Sequence, residues 1–441
     1  MFSPQAPRTV APSSSPSPRP THLWLARRKL RQFLHFDRFH APQFAAAGLL
    51  LAYFLQCVWL VRAQALHGIF PNPDQGLCIY QGLEQWEGGA IAGTAQAVRV
   101  DAATGLPVVD REGRLRVHEG YDQDRSPLYY LIAASPLLLQ PDAWLPEFLR
   151  PFVIAAPNLF FGIMLGASLW YVSRRLYGNA GGFIALSLYC FSPAMIVNAA
   201  GAQSLGEMGA ALGAFGTIFT AIAVAHTLYA PRDVVLWNWR RILLLGISMA
   251  LAIGNQFSLG VLALVILPLM LWVAPVRPWA ALAVWTAAVA VSALLLFAVY
   301  FFEPAVFRQG MLHARWFDFE PASLGVLASY QNFGQSITVG SPPLLLVLPA
   351  ALSAYFGWKR CRYFGNTVPL LIAAFLLVLA VGTPSFAREG FNLTSLVFLL
   401  VFGSGMFADV LETPQRLFAT ASLCGLLGAS AIWNLWMLWR V

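Results

Sequence analysis

Residues 150–193 read RPFVIAAPNLFFGIMLGASLWYVSRRLYGNAGGFIALSLYCFSP, and with the residues that follow they hold two apolar runs, 150–172 and 180–200, joined by a turn carrying Arg174 and Arg175. A helix crosses a bilayer with roughly 20 predominantly apolar residues. Basic side chains in short loops stay on the cytoplasmic side. The stretch therefore reads as two antiparallel transmembrane helices with an inner turn, and the same test succeeds along the rest of the chain. Further spans fall near 42–62, 206–228, 242–274 (two short spans broken at Gly254-Asn255-Gln256), 279–302, 340–357, 366–382, 391–411 and 417–438, giving about eleven. The fold class is an all-α polytopic membrane protein.

Composition leads to the same place. Of 441 residues 58% are hydrophobic and only 11% charged, whereas soluble domains carry about a quarter charged residues. A net charge of +8 would on a soluble chain suggest nucleic acid, but the placement of the charges removes that reading. With the N-terminus inside, Arg174-Arg175, Arg232, Arg240-Arg241, Arg277, Lys359-Arg360-Arg362 and Arg416 all fall on the inner face. The outer face receives residues 63–149, the turns near 203 and 255, the loop 303–339 and the turn 383–390. Eleven of the 20 acidic residues lie between Asp74 and Glu147. The surplus charge is topological, and no nucleic-acid partner is expected. Residues 1–40 hold a Pro/Ser-rich tail and then LWLARRKLRQFLHF, a basic amphipathic stretch suited to an anionic lipid surface.

The first outer loop is the one extended polar region. Within it Pro73 to Trp86 and Ser126 to Leu139 read as short helices, the second lying along the membrane surface because Pro136 and Pro141 interrupt it. QAVRVDAATGLPVVDREGRLRV between them alternates and carries turn signals at Thr104-Gly105 and Glu112-Gly113, as a hairpin excursion would.

Few residues have the character to carry chemistry. Asp74, in NPDQGLCIYQGLEQW, opens an outer helix, where a carboxylate either complements the helix dipole or serves as a general base. Glu207, in AGAQSLGEMGAALGAF, stands at the outer end of a span, where an ionisable group is costly unless it faces a cavity or a partner. Arg125, in YDQDRSPLYYL, and Arg388, in TPSFAREGF, are isolated cations at the same boundary. Each is suited to a lipid phosphate or to a salt bridge with Asp122, Asp124 or Glu389. His118, Glu119, Asp122 and Asp124 match no metal-ligand spacing, so no metal is expected, and the five cysteines imply no disulfide framework. No Walker A, GxSxG or HExxH motif is present, which leaves nucleotide-driven and hydrolase chemistry without support and implies no cofactor.

The order of these features resembles the GT-C superfamily of polytopic glycosyltransferases that use polyprenyl-phosphate sugars, in the bacterial branch of the lipid A aminoarabinose and protein O-mannosyl transferases. PDQGLCIY is similar to the family's Pro-Asp-Glu motif with a following Tyr. DRSPLYYLIAASPLL resembles its surface helix, with Arg125 at the basic position. Residues 150–193 resemble the second and third spans, and RRILLLGISMALAIGNQFSLGVLAL the fifth and sixth. The resemblance implies a GT-C-like module over 41–302 that includes the outer loop 63–149, followed by a C-terminal transmembrane module over 303–441 with the outer loop 303–339. It implies a bacterial inner-membrane enzyme with its N-terminus in the cytoplasm and its site on the outer face.

Under that resemblance Asp74 is the catalytic base and Glu207 positions it or the acceptor. Arg125 and Arg388 bind the donor phosphate, and Tyr80, Tyr129 and Tyr130 pack lipid and sugar. The partners implied are a polyprenyl-phosphate sugar, membrane lipid, and an acceptor that is a glycan, lipid or protein. The family's Glu after the Asp is Gln75 here, and its Lys in the fifth-to-sixth turn is absent from Gly254-Asn255-Gln256. These departures leave a second reading, a catalytically inactive GT-C-like subunit or assembly factor of a membrane complex. A transporter is the third, disfavoured by the outer clustering of carboxylates.

Overall fold

A computed structural model describes residues 41–67, 73–88, 97–98, 117–118, 122–138, 146–200, 207–229, 239–316, 319–357, 362–383, 385–412 and 416–440. The amphipathic tail, the turn near 203, Glu119, Arg232, Lys359 and Arg360 lie outside them. The described residues form fifteen helices and one pair of short strands, and Ala46–Val441 make one compact unit.

Helix α1, Ala41–Leu66, is the first span. Two shorter helices follow in the outer loop, α2 (Pro73–Trp86) and α3 (Pro127–Leu138). Between them β1 (Ala97–Val98) pairs antiparallel with β2 (Val117–His118), in the register Ala97 with His118 and Val98 with Val117. The excursion seen in the sequence thus closes at its base.

The stretch that opened the reading is α4, Arg150–Cys190. It is interrupted at Gly178, whose φ of 77° is left-handed, a conformation glycine adopts without steric cost. The turn between the two spans is therefore barely more than one residue. The following span, expected unbroken over 180–200, departs from that expectation. The helix stops at Cys190 and restarts as α5, Pro193–Ala200. Pro193 has no N–H to donate and disfavours helical backbone at Ser192. Carbonyls freed in hydrocarbon need partners, and side chains supply them. Gln56 Nε2 donates to the Cys190 carbonyl at 3.2 Å, and Asn434 Nδ2 donates to that of Phe191. Ser192 Oγ ties the break to the Gly340 carbonyl at 2.8 Å.

The remaining helices are α6 (Glu207–Thr227), α7 (Trp239–Asn255), α8 (Val261–Val273), α9 (Pro278–Val299), α10 (Pro304–His313), α11 (Leu327–Gly340), α12 (Leu344–Gly357), α13 (Tyr363–Gly382), α14 (Ser385–Leu411) and α15 (Arg416–Arg440). A 3-10 turn, Phe257–Gly260, separates α7 from α8.

Among the described residues six helices are long and apolar enough to cross a membrane singly, or seven spans if α11 and α12, bent by 111°, count as one. This count is by element and by length, and it falls below the eleven segments expected because one element can hold two of them and shorter ones fall under the length test. Several segments read as spans are short, bent or continuous pieces: α7 and α8 have 17 and 13 residues, and α4 joins two spans in one element.

The core is built on α14. Its segment Gly390–Leu411 is 89% buried, against 22% for the lipid-facing α9. Phe398 of α14 packs with Phe215 and Phe219 of α6, its ring centroid 5.7 and 5.8 Å from theirs. Helices from both sides of residue 302 thus share one core. At one end of the bundle Asp409, buried, accepts hydrogen bonds from the Arg362 backbone N–H at 2.9 Å and from Asn366 Nδ2 at 2.8 Å. It also lies 3.2 Å from the Arg362 guanidinium, whose other arm pairs with Glu412. At the same end Tyr177 Oη donates to the Gly365 carbonyl at 2.5 Å. These are segments the basic-residue pattern assigns to one face.

The α6–α7 seam is closest at Gly213, where an added Cβ would overlap the Ala252 backbone and leave no side chain able to move aside. Gly213→Leu is expected to cost ~1–3 kcal/mol or more through overpacking, read as a lower midpoint of thermal unfolding in detergent. Gly48→Leu, in open space on α1, should leave the midpoint unchanged, and equal behaviour of the two variants would contradict this seam.

Candidate functional site at the turn Gly254–Phe257

The site is organised around the turn Gly254–Phe257. Ser126 donates both its backbone N–H (3.0 Å) and its hydroxyl (2.9 Å) to the Gly254 carbonyl, and its hydroxyl also caps the Leu128 N–H at 3.2 Å, starting α3. The Phe257 N–H donates to the Asp124 carbonyl at 2.9 Å. From the segment after α10, the Arg315 N–H donates to the Gln123 carbonyl at 2.7 Å, and the Trp316 ring packs tilted against Phe257 with centroids 5.4 Å apart. Glycines carry the other approaches. A Cβ on Gly209 would meet Asn255 Nδ2 at 3.0 Å, and one on Gly390 would overlap the Gln256 side-chain amide.

One turn therefore meets the segment carrying Arg125, the start of α6 two residues after Glu207, and the start of α14 two residues after Arg388. Asp74 belongs to the first turn of α2, one helical turn, roughly 6 Å, before Cys78. The side chains of Asp74 and Arg388 lie outside the described residues. α2 is laid across α3: Trp86 Nε1 donates to the Leu131 carbonyl at 3.1 Å, and a Cβ on Gly82 would overlap the Tyr130 backbone. Gln85 Nε2 donates to the Val299 carbonyl at 3.1 Å, tying α2 to the end of α9.

Arg125 is buried, its guanidinium 4.7 Å above the Tyr129 ring centroid, a cation–π geometry. Burial works against its charge, but Tyr129, Asp122, Cys78 and Tyr130 around it outweigh that and raise its affinity for the proton. Asp122, which the sequence offers only as a salt-bridge partner for Arg125, also organises the turn. Its Oδ1 accepts the N–H groups of Asp124 (2.9 Å) and Arg125 (3.1 Å), and its Oδ2 accepts the Tyr130 hydroxyl. The signal was there in Asp-Gln-Asp-Arg-Ser-Pro, since an Asp that bonds the backbone two and three residues on makes a turn before a helix.

Tyr129 and Tyr130 were expected to face lipid or sugar. Both are buried in a cluster with Cys78, where they enclose the buried Arg125 guanidinium. Tyr80 is exposed, and its hydrogen bond with Glu84 raises its pKa. Among the described residues no group of three His, Cys, Asp or Glu side chains could hold a metal ion.

Beside the turn lies a cavity of about 310 Å³ between α5, the first turn of α6, α11 and α14. Glu207, Asn198, Gln335 and Asn392 contribute its polar lining, and Val197, Ile337 and Leu396 are among the apolar residues. Asn392 is one turn past Arg388 on α14.

No protein-family model matches the chain, and no curated protein matches it. Solved structures do. The fold is similar to that of ArnT from Cupriavidus metallidurans, in a crystal structure bound to undecaprenyl phosphate, with a TM-score of 0.55 and 13% identity over 85% of this chain and 60% of that one. The apo structure of the same protein matches with a TM-score of 0.53 and 14% identity, over 82% and 61% of the two chains. The chain thus spans about 60% of the length of those structures. At the level of fold it is a multi-pass helical membrane protein with the architecture seen in ArnT.

Burial is the first cause that raises the Tyr129 and Tyr130 hydroxyls well above the ordinary phenol value; for Tyr130 Asp122 comes next. A raised folded-state pKa means that the stability of the neutral phenols is fully present below the unfolded value of about 10 and is lost as pH rises above it. Alkaline unfolding should therefore begin above about pH 10 and be blunted in Tyr129→Phe. The same alkaline profile in wild type and variant would contradict the burial of this phenol.

Proposed function

We propose that the chain is a membrane glycosyltransferase that moves a sugar from a polyprenyl-phosphate donor to an acceptor hydroxyl on the extracytoplasmic face of a bacterial inner membrane. The observation that supports this most is the convergence of the Arg125 segment, the first turn of α6 and the N-terminal part of α14 on the turn Gly254–Phe257, within a fold whose solved neighbour is bound to undecaprenyl phosphate. The N-terminus is assigned to the cytoplasm by the distribution of basic residues.

In this reading the donor phosphate is held at the outer boundary by Arg125 or Arg388, and guanidinium is suited to it through paired N–H donors. Asp74 takes the proton from the acceptor hydroxyl as its oxygen attacks the anomeric carbon. The bond from that carbon to the phosphate oxygen breaks, and the polyprenyl phosphate leaves with the electron pair. A single displacement inverts the anomeric centre. Glu207 orients the acceptor. Arg125, already balanced by Asp122 and Tyr129, grips a phosphate by exchanging part of that pairing, and Arg388 is the second donor.

The test is release of undecaprenyl phosphate from a panel of undecaprenyl-phosphate sugars in membranes carrying the full chain. Asp74→Asn is expected to lower turnover by about 10²–10⁴-fold, the range of a lost general base, at wild-type protein level. Undiminished turnover would remove Asp74 from the mechanism. Wild-type protein that turns over no donor and copurifies tightly with other membrane proteins would favour the inactive-subunit reading.

A further inference from the structure

Helix α9 ends at Val299, and the chain turns into α10 through Phe301 and Phe302, whose φ values are 52° and 60°. Among the described residues no other non-glycine residue has a positive φ. In the left-handed region Cβ crowds the following carbonyl, which is why glycine usually fills this place after a helix. A bulky residue bears that cost in full, and the conformation persists only where other contacts outweigh it. Phe302 packs its ring perpendicular to that of Phe297, centroids 5.3 Å apart. Even so, 58% of Phe302 and 44% of Phe301 stay exposed on the protein. In water those ring faces would gain nothing, whereas in hydrocarbon their burial offsets the strain.

The position of the corner identifies the apolar phase it meets. α9 faces lipid, and its 22 residues span about 33 Å, close to the roughly 30 Å of bilayer hydrocarbon. Trp279, itself exposed, opens the helix and the phenylalanine pair follows its end. Aromatic side chains thus mark both ends of one lipid-exposed span, at the depths where membrane proteins carry aromatic belts. Beyond the corner, Phe307, Met311 and Ala314 pack against Ile253, Phe257 and Leu296. Phe307 meets Phe297 and Tyr300 edge-on at 5.2 and 5.4 Å, and Trp316 Nε1 donates to the Met311 carbonyl at 2.9 Å. Arg308, next along α10, is exposed, and its guanidinium complements a lipid phosphate.

We propose that Phe301 and Phe302 form an anchor inserted among the phospholipids of one leaflet, with Arg308 at their phosphates, and that this anchor holds α10 against the turn Gly254–Phe257. The leaflet is the extracytoplasmic one by the distribution of basic residues. Bulk phospholipid is the ligand, so the anchor stands whether or not the chain transfers a sugar.

The test places the full chain in nanodiscs of phosphatidylethanolamine and phosphatidylglycerol that include a phospholipid with a diazirine at the head of one acyl chain. Light-driven labelling is mapped by mass spectrometry. In the wild type, labelling at Phe301 and Phe302 is expected to match that at the end of α9. A labelled α9 beside an unlabelled corner overturns the insertion, and this arm needs no variant to fold. The hold on α10 is read by hydrogen exchange of the Arg315 amide, which donates to the Gln123 carbonyl. Phe301→Asp and Phe301→Asn both tolerate left-handed backbone and differ in charge, which matters only if the side chain meets lipid. Exchange in the Asp variant is expected to be at least about tenfold faster than in the Asn variant. Equal rates in the two variants would mean a corner in water and overturn the hold.

Discussion

A membrane protein must pair its backbone polar groups internally wherever water is absent, and in this chain that constraint is concentrated where α7 gives way to α8. The turn Gly254–Phe257 interrupts the helical ladder where two short helices meet. Its Gly254 carbonyl takes two hydrogen bonds from Ser126, and the Phe257 N–H gives one to Asp124. The first outer loop is thereby joined to the membrane bundle by directional bonds. Once the stretch 122–126 is fixed, Ser126 starts α3, α3 carries α2, and α2 carries Asp74. Glycines at 209, 254 and 390 allow the close approaches, since a Cβ at the last two would collide with Leu128 and Gln256.

Charge is handled in the same way at both ends of the bundle. At one end Asp122 accepts the Asp124 and Arg125 N–H groups and the Tyr130 hydroxyl beside the buried Arg125, and at the other the buried Asp409 accepts from the Arg362 N–H and Asn366. Desolvating an ion costs several kcal/mol even after relaxation, so a buried pair survives when its remaining polar atoms are also engaged. Removing one partner strands the other. Asp409 clamps the end of α14, the central helix, to the start of α13. Asp122 shapes the turn that delivers Arg125 over Tyr129. The first clamp has no visible chemistry, whereas the second sits beside a cavity and a turn shared by three charged segments.

The sequence was most legible where one local property dominates. Apolar length gave the spans, and the spacing of prolines gave the short outer helices Pro73–Trp86 and Pro127–Leu138. It was less legible where several elements share a decision. The break at Ser192-Pro193 depends on Gln56, Gly340 and Asn434, residues 136 or more positions away from Ser192, or nearly so, in the chain, and only such partners make a broken helix tolerable in hydrocarbon. Tyr129 and Tyr130 read as ligand-facing aromatics because their enclosure by Cys78, Asp122 and Arg125 is a tertiary fact.

The sequence by itself determined that the chain is a polytopic helical membrane protein with its acidic residues gathered in one loop, because solvation of apolar length and of charge acts residue by residue. Tertiary structure alone decided that Arg125 is buried, that Asp122 organises it, and that Asn198, Glu207, Gln335 and Asn392 face one cavity. Those outcomes depend on which helices are neighbours, a matter of packing between segments far apart in the chain, and no local pattern records it.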